Sequence, residues 1–277
     1  MVNFDQLPMR DPFIPKDPVP ELIKSMNFQV SMLAVTVLLA AAVFGYAIKT
    51  WRSTGRSELF WITLGAMCPV FYEPVVDMMV DIVYHQSGAL TVLSGFGVTI
   101  PLWTLFMYAV FWGPGILWLT NQLDDGLTLK RWMGLFLMSI PFTLAFEVPL
   151  LKMGLYTYYG SQQPFKIFDY PWWMCFSNSA AIFVVALLVH VAKKTAVVRE
   201  HPAYLVLLVP SFIIGVGVTT VIPIGYGMSS TTSLLIINLT AAVSAILSIA
   251  YTWLGFKMVM PAARTNAAEV EKTVLPA

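Results

Sequence analysis

The sequence predicts an all-α polytopic membrane protein with seven transmembrane helices, from its composition, its hydropathy and the distribution of its charges. Of its 277 residues, 58% are hydrophobic and 11% are charged, whereas charged residues make up roughly 25% of an average soluble chain. The mean hydropathy is +0.74. Residues 25–48, 170–192 and 202–256 contain no charge at all, and an apolar stretch of about 18 or more residues is a candidate membrane span.

The individual spans follow from the need for about 20 mostly apolar residues per crossing. Helices are predicted at 28–48, 59–84, 101–121, 131–152, 172–192, 203–225 and 232–257. Because the last charge-free stretch is too long for one crossing, residues 223–230 are predicted to turn the chain. The polar segment 1–27 lacks the hydrophobic core of a signal peptide, and 258–277 is predicted to be a flexible cytoplasmic tail.

The basic residues predict the orientation of the chain. Loops 49–58, 122–131 and 193–202, together with the region from residue 257, carry eleven of the 16 Lys and Arg residues. Cytoplasmic loops of membrane proteins carry an excess of Lys and Arg. We therefore expect the N-terminus outside and the C-terminus inside.

Composition and motifs exclude several classes of protein. The formal net charge of +1 leaves no polycationic surface for nucleic acid. Cys68 and Cys175 lie in apolar stretches and form no zinc or redox motif. His190 is the only histidine predicted inside a span, which excludes a histidine pair for haem and a di-iron cluster. The seventh helix has no lysine before Lys257 for a retinal Schiff base, the Asp124-Asp125 pair is single, and no nucleotide-binding loop is present. We predict no metal and no cofactor.

Three acidic residues in the second predicted helix are the first candidates for chemistry. Glu73, Asp77 and Asp81 are spaced by four, which places them on one side of a continuous helix. A carboxylate at the bilayer centre costs at least about 2.5–3.5 kcal/mol, so such residues usually face a cavity. Pro74 removes a helix hydrogen bond at the same place. The alternatives are an interfacial charge for Asp81 and a polar packing contact for Glu73 and Asp77.

Glu147 in the fourth predicted helix also lies next to a proline, in the run Phe146-Glu147-Val148-Pro149. At 1.5 Å per residue, Glu147 lies about 24 Å along its helix and Glu73 about 21 Å along a helix of the same direction. Equal depth predicts that Glu73, Asp77 and Glu147 line one pocket and carry the chemistry. An ion pair of Glu147 with Lys152 is the alternative.

Aromatic and amide side chains on the predicted outer side are candidates for substrate binding. Most Trp and Tyr residues of a membrane protein belong to interfacial belts, and intramembrane Asn commonly joins helices. The residues selected for substrate contact are Tyr72, Asp81, Trp103, Tyr108, Tyr158, Trp172 and Asn178.

Four motifs between about residues 60 and 180 are distinctive as a set. They are Glu73-Pro74-x-x-Asp77, the Gly-Val-Thr-Ile-Pro-Leu-Trp run at 97–103, the Gly-Leu-Tyr-Thr-Tyr-Tyr-Gly run at 154–160 followed by Gln-Pro-Phe at 163–165, and Pro-Trp-Trp at 171–173 with Asn178. This set resembles the AveC-like spirocyclase family of actinobacterial membrane proteins; the last two helices match only in hydropathy. The resemblance implies a multi-pass protein of the bacterial cytoplasmic membrane that closes a dihydroxy ketone into a spiroketal, with an associated dehydration. It transfers no catalytic residues.

The preferred hypothesis is a cofactor-independent membrane enzyme for acid–base cyclisation or dehydration of a lipophilic polyketide, terpenoid or sterol-like molecule. Positioned carboxyl groups can supply and remove the protons: Glu73 is expected to be the acid, Asp77, nearer water, the base, and Glu147 a second acid–base group or an orienting group. A membrane terpene cyclase is the enzymatic alternative. A proton-coupled transporter also fits intramembrane carboxylates and repeated Glu-Pro elements, whereas a scaffold fits their insertion cost poorly. The expected partners are a lipophilic small molecule and membrane lipid.

Overall fold

The computed structural model of the protein describes residues 26–85, 89–158, 163–230 and 233–260. Nearly all of the predicted N-terminal segment and cytoplasmic tail lies outside the described residues. The helices are α1 (Met26–Thr54), α2 (Glu58–Met67), α3 (Glu73–Val80), α4 (Leu102–Asp124), α5 (Leu129–Lys152), α6 (Trp173–Ala192), α7 (Ala196–Glu200), α8 (Leu205–Ser230) and α9 (Leu234–Val259). The strands are β1 (Ile82–Tyr84), β2 (Thr91–Gly95), β3 (Val98–Pro101), β4 (Tyr156–Tyr158), β5 (Lys166–Ile167) and β6 (Tyr170–Pro171).

The all-α architecture that the sequence predicts is present. Within the described part of the chain, six helices are long and apolar enough to cross a membrane: α1, α4, α5, α6, α8 and α9. A further pair, α2 with α3, passes the same test together but is bent by 54°. Each predicted helix other than the second matches one of these elements. Most of the helix ends agree to within a few residues.

The second predicted helix, 59–84, is not continuous. It ends at Met67, passes through a 3₁₀ turn over Cys68–Phe71, resumes as α3 and gives way to β1. Pro69 and Pro74 cause the break, because neither can donate a backbone hydrogen bond inside a helix. The straight-helix estimate of depth for Glu73 is therefore wrong. Asp81 ends α3 in the left-handed conformation, at φ 55° and ψ 55°, and leaves the helix face it was predicted to share.

The predicted turn at 223–230 is also wrong, because α8 continues to Ser230 with Pro223 inside it. The glycines that suggested a turn are sites of close helix packing. A Cβ on Gly225 would lie 3.1 Å from the backbone oxygen of Met79, and one on Gly227 would lie 2.1 Å from the Thr240 hydroxyl. Small residues allow helix backbones to approach closely, and here they bring α8 against α3 and α9.

Within the described ranges, three two-stranded antiparallel ladders lie at one end of the bundle, called here the strand end. The hydropathy pattern does not predict them. β2 and β3 form a hairpin that turns at Phe96 and Gly97, both with positive φ. β5 and β6 form a second short hairpin. β1 and β4 are far apart in sequence and join the end of α3 to the end of α5. This last ladder brings together the connections that follow the two acidic helices.

The half of the bundle away from the strands is filled by a hydrophobic cluster, called here the distal core. α6 lies at its centre and packs against α4, α5, α8 and α9. Trp132 and Phe136, both fully buried, meet Phe183 with ring centroids 4.7 and 5.5 Å away. The indole N–H of Trp132 donates to the backbone oxygen of Thr252 at 3.1 Å. The distal core is therefore closely packed and aromatic.

A polar cluster ties α4 to α6 beyond the distal core. Asp124 was predicted to lie in the loop 122–131, but it is the last residue of α4. Its carboxylate accepts from His190 Nδ1 at 2.6 Å and from Lys193 Nζ at 3.1 Å. Lys194 Nζ donates to the other ring nitrogen of His190 at 2.6 Å. Each polar atom of the His190 ring thus has a partner.

Close packing around α2 predicts that Gly65→Ala destabilises the protein. A Cβ at Gly65 would lie 2.9 Å from the backbone oxygen of Leu205, and backbone cannot move aside as a side chain can. We expect a loss of about 1–3 kcal/mol, typical of overpacking, seen as a lower Tm in detergent. Gly134→Ala is the matched control, because nothing lies within 4 Å of its Cβ. An equal effect of the two substitutions would contradict the packing described.

Candidate functional site

A cavity of about 140 Å³ lies between the distal core and the β1–β4 ladder. Its walls come from α3, α4, α5, α6 and α8, and β1 and β4 close it at the strand end. Most of the wall is apolar. Glu73, Asp77 and Glu147 all line it. The structure thus brings the three predicted acidic residues together.

Glu73 is the best supported of the three carboxyl groups. It is the first residue of α3, where the positive end of the helix dipole favours a negative charge. Tyr84 Oη donates to Glu73 Oε1 at 3.1 Å, and Tyr108 Oη donates to Glu73 Oε2. Each oxygen of Glu73 therefore has a hydroxyl donor.

Glu147 receives a tyrosine hydroxyl of its own, because Tyr156 Oη donates to Glu147 Oε2. In the ladder, Tyr84 of β1 lies directly opposite Tyr156 of β4, and their rings are 5.6 Å apart. Since side chains of a strand alternate between its faces, the next pair on the same face is Ile82 with Tyr158. All four of these side chains line the cavity. One ladder therefore positions one tyrosine partner of each glutamate.

Asp77 differs from both glutamates. It lies one helical turn after Glu73 and is only 1% exposed. Neither carboxyl oxygen has a hydrogen-bond partner among the described residues. A buried carboxyl group without hydrogen bonds is costly, and buried polar groups are nearly always paired. Asp77 was predicted to lie nearer to water than Glu73, but it is the more buried of the two side chains.

A hydrogen-bond chain holds the ladder against α1 and α4. Trp103 Nε1 donates to Gln29 Oε1 at 2.9 Å, and Gln29 Nε2 donates to the backbone oxygen of His85 at 2.8 Å. The His85 ring in turn lies 2.9 Å from the Thr157 hydroxyl on β4. Gln29 is buried, so this chain is shielded from solvent. These hydrogen bonds hold the β1–β4 ladder in place at the strand end of the cavity.

The structure divides the residues predicted to contact substrate. Those that line the cavity are Tyr72, Trp103, Tyr108, Tyr158 and Asn178. Two do not line it. Asp81 caps the end of α3, and Trp172 packs between Phe165 and Phe176, with ring centroids 5.3 and 5.5 Å away.

Two tyrosines of the site were missed. Tyr84 lay inside the predicted second helix, and Tyr156 was assigned to the interfacial belt. Only the pairing of β1 with β4 reveals them, and no local sequence pattern encodes that long-range pairing.

Burial raises the pKa of Tyr84 and of Tyr158 well above the usual range, and nearby acids add to the effect. Both therefore remain protonated hydrogen-bond donors.

A clasp of charged residues lies on the outside of the strand end. Lys152, the last residue of α5, pairs with Asp169 at 2.5 Å, rather than serving as the ion-pair partner considered for Glu147. This hydrogen bond lowers the pKa of Asp169. Lys166 Nζ donates to the backbone oxygen of Tyr158 at 3.3 Å. The clasp joins the β5–β6 hairpin to α5 and to β4.

Within the described ranges, no three His, Cys, Asp and Glu side chains are arranged so that they could hold a metal ion. Comparison of this chain with protein families, with curated proteins and with solved structures finds no match.

The contrast between the carboxyl groups predicts opposite effects on stability. Asp77→Leu replaces a buried acid that has no partner among the described residues with an apolar side chain, so we expect a higher Tm in detergent. Glu73→Met leaves the hydroxyls of Tyr84 and Tyr108 without their acceptor, and each unsatisfied buried group costs about 1–3 kcal/mol. We therefore expect a lower Tm for Glu73→Met. A drop in Tm for Asp77→Leu equal to that of Glu73→Met would show that Asp77 has a partner.

Proposed function

We propose that the protein is an integral membrane enzyme that cyclises or dehydrates a lipophilic, hydroxylated substrate by acid–base chemistry. The observation that carries the proposal is the presence of three carboxyl groups, with different hydrogen-bond environments, in one mainly apolar cavity. Groups held in contrasting environments can take opposite roles as acid and base. The cavity wall is apolar elsewhere, which suits a substrate that dissolves in lipid.

The hydrogen bonds assign the roles. Hydroxyl donors favour the ionised form of a carboxyl group, and Glu73 has two of them at the start of a helix, so Glu73 is the base. Asp77 has no donor among the described residues and is almost fully buried, so it carries the proton and is the acid. These roles reverse those expected from the sequence. Glu147, with one tyrosine donor, orients the substrate or acts as a second acid–base group.

The reaction is balanced without an external reagent. A substrate hydroxyl attacks a carbonyl carbon; its proton passes to Glu73, and the carbonyl oxygen takes the proton of Asp77. In the second step the new hydroxyl takes the proton from Glu73 and leaves as water, and a second substrate hydroxyl closes the other ring and gives its proton to Asp77. A dihydroxy ketone thus gives a spiroketal and one water, with no oxidation or reduction. Elimination of a hydroxyl without ring closure gives the dehydration.

The proposed topology has seven spans, of which the bent pair α2 and α3 is one. The strand end faces the outside, and the basic residues near Lys49, Lys130, Lys193 and Lys257 face the cytoplasm of a bacterial cell, in line with the positive-inside rule. The resemblance to AveC-like spirocyclases supports the same membrane. It also supports spiroketal formation as the first activity to test.

Two other functions use the same residues. A membrane terpene cyclase would use Asp77 to protonate an epoxide or alkene. A proton-coupled transporter would need a path for its ligand across the membrane. The distal core, with Trp132 and Phe136 fully buried, fills the described bundle between the cavity and the opposite end. This packing favours an enzyme over a carrier.

The test of the function is turnover by purified protein. Detergent-solubilised protein is incubated with a panel of long-chain dihydroxy ketones, and with polyprenyl epoxides for the terpene alternative, and products are identified by mass spectrometry. We expect Glu73→Gln and Asp77→Asn each to lower turnover by about 10²–10⁴-fold, as is typical for general acid–base groups. Full activity in a folded Glu73→Gln protein would remove Glu73 from the mechanism.

The same assay distinguishes proton transfer from metal catalysis. Carboxylate oxygens also bind hard divalent cations. For the proposed mechanism, turnover persists after exhaustive chelation. Activity that disappears on chelation and returns only with magnesium or manganese would make the carboxylates metal ligands.

Filling the cavity should abolish turnover without unfolding the protein. Gly217 of α8 lines the cavity, and nothing lies within 4 Å of a Cβ built on it. Gly217→Leu therefore places a side chain in the space for substrate, and we expect most turnover to be lost at an unchanged Tm. Gly215→Leu is the control, since Gly215 has equal room but does not line the cavity. Loss of turnover in both variants would contradict the assigned cavity.

A further inference from the structure

The cavity is too small to enclose the class of substrate proposed for it. Pockets that enclose a drug-sized ligand usually measure roughly 300–1,000 Å³, whereas this cavity measures about 140 Å³. Only the reacting end of a polyketide or sterol-like molecule fits inside. The rest of such a molecule must lie in a continuous apolar space outside.

A row of three phenylalanines leads from the cavity to the outside of the bundle. Phe111 of α4 and Phe146 of α5 line the cavity, with their ring centroids 4.5 Å apart. Phe111 also stacks on Phe142, at 5.9 Å. Phe142 is 63% exposed on the outer surface of the bundle. The row is therefore apolar along its whole length.

The backbones on either side of this row belong to helices with different neighbours. α4 packs mainly against α1, α2 and α6, whereas α5 packs mainly against α6 and α9. Side chains of the phenylalanine row, rather than a close backbone interface, bridge α4 and α5 at the level of the cavity. Side chains can change rotamer without disturbing the helices, so this is the place where the wall opens at least cost.

The helix that carries two of the three phenylalanines is weakened on both sides of them. Pro141 and Pro149 both lie inside α5, and each removes a backbone hydrogen bond and favours a bend. Phe142 and Phe146 lie between the two prolines. Glu147 follows directly after Phe146, so a molecule that passes the row meets a carboxyl group at once.

We propose that the substrate is an elongated amphiphile that enters sideways from the bilayer between α4 and α5, with its polar end in the cavity and its apolar remainder along the row of Phe111, Phe142 and Phe146. This inference rests on the proposed function, and it names both the substrate class and the route. The row excludes water and ions because it has no polar atom. Specificity for the apolar part of the substrate is set along this row rather than inside the cavity.

The route is tested by chemical access to the carboxyl groups, which requires no substrate. Protein in phosphatidylcholine vesicles is treated with dicyclohexylcarbodiimide, which dissolves in the bilayer, or with a water-soluble cationic carbodiimide, and modified residues are mapped by mass spectrometry. We expect the membrane-soluble reagent alone to modify Glu147, Glu73 or Asp77. Phe142→Ala should increase that rate several-fold. Met138→Ala is the control, because Met138 is 69% exposed on the same helix and lies outside the row.

A second variant tests the route in the opposite direction. In a Cys68→Ser, Cys175→Ala background, Phe111→Cys with Phe142→Cys permits a short bifunctional thiol reagent to join α4 to α5. We expect the bridge to slow modification of the cavity carboxyl groups relative to the same variant before bridging. In each single-cysteine variant, the thiol reagent should leave the rate as it was before treatment. Size-exclusion chromatography and Tm confirm that the variants are folded.

Three results would overturn the lateral route: modification by the water-soluble reagent, modification by neither reagent, or equal rates in Phe142→Ala and the native protein. None of these depends on turnover. Carbodiimide access as expected, with full turnover in Glu73→Gln, would keep the route and remove the proposed chemistry. Loss of turnover in Glu73→Gln, with access unaffected by the phenylalanine variants, would keep the chemistry and remove the route.

Discussion

The pairing of β1 with β4 is the interaction on which the cavity depends. It places Tyr84 directly opposite Tyr156, and these hydroxyls donate to Glu73 and Glu147 respectively. The two glutamates come from helices that are far apart in sequence, and the tyrosine pair couples their positions. The chain of Trp103, Gln29 and His85 then holds the ladder in place. A site made of helices alone would lack this cross-connection at the strand end.

The distribution of hydrogen bonds around the acids is uneven in a way that stability alone does not explain. Three tyrosine hydroxyls serve Glu73 and Glu147, whereas Asp77 has none among the described residues. A chain selected only for stability would replace such a buried acid with an apolar residue or supply a donor for it. Asp77 is therefore a destabilising group, which a function at this site would account for. Proton donation to a bound molecule is such a function, because the molecule would supply the missing hydrogen bond.

Hydropathy predicted most of the membrane-spanning helices, because the burial of apolar segments depends on composition and length. It also led to Glu73, Asp77 and Glu147, since acids in apolar stretches are expensive wherever the chain folds. It failed at prolines, because a proline can either break a helix or lie within one. Pro69 and Pro74 broke the second helix, while Pro223 did not break α8. Tyr84 could not be found, because strand pairing across more than seventy residues leaves no local sequence pattern.

The proposed reaction consumes no net proton, which explains why the cavity can be closed toward the distal core. Ring closure moves one proton from a hydroxyl to Glu73 and another from Asp77 to an oxygen, so the cycle consumes no net proton. Glu73 and Asp77 lie one helical turn apart, which is close enough for the bound molecule or the released water to return the proton from base to acid. The cavity thus requires no connection to the opposite aqueous phase, and the distal core is free to fill that half of the bundle. A transporter built on the same acids would instead have to open this packed aromatic half in every cycle.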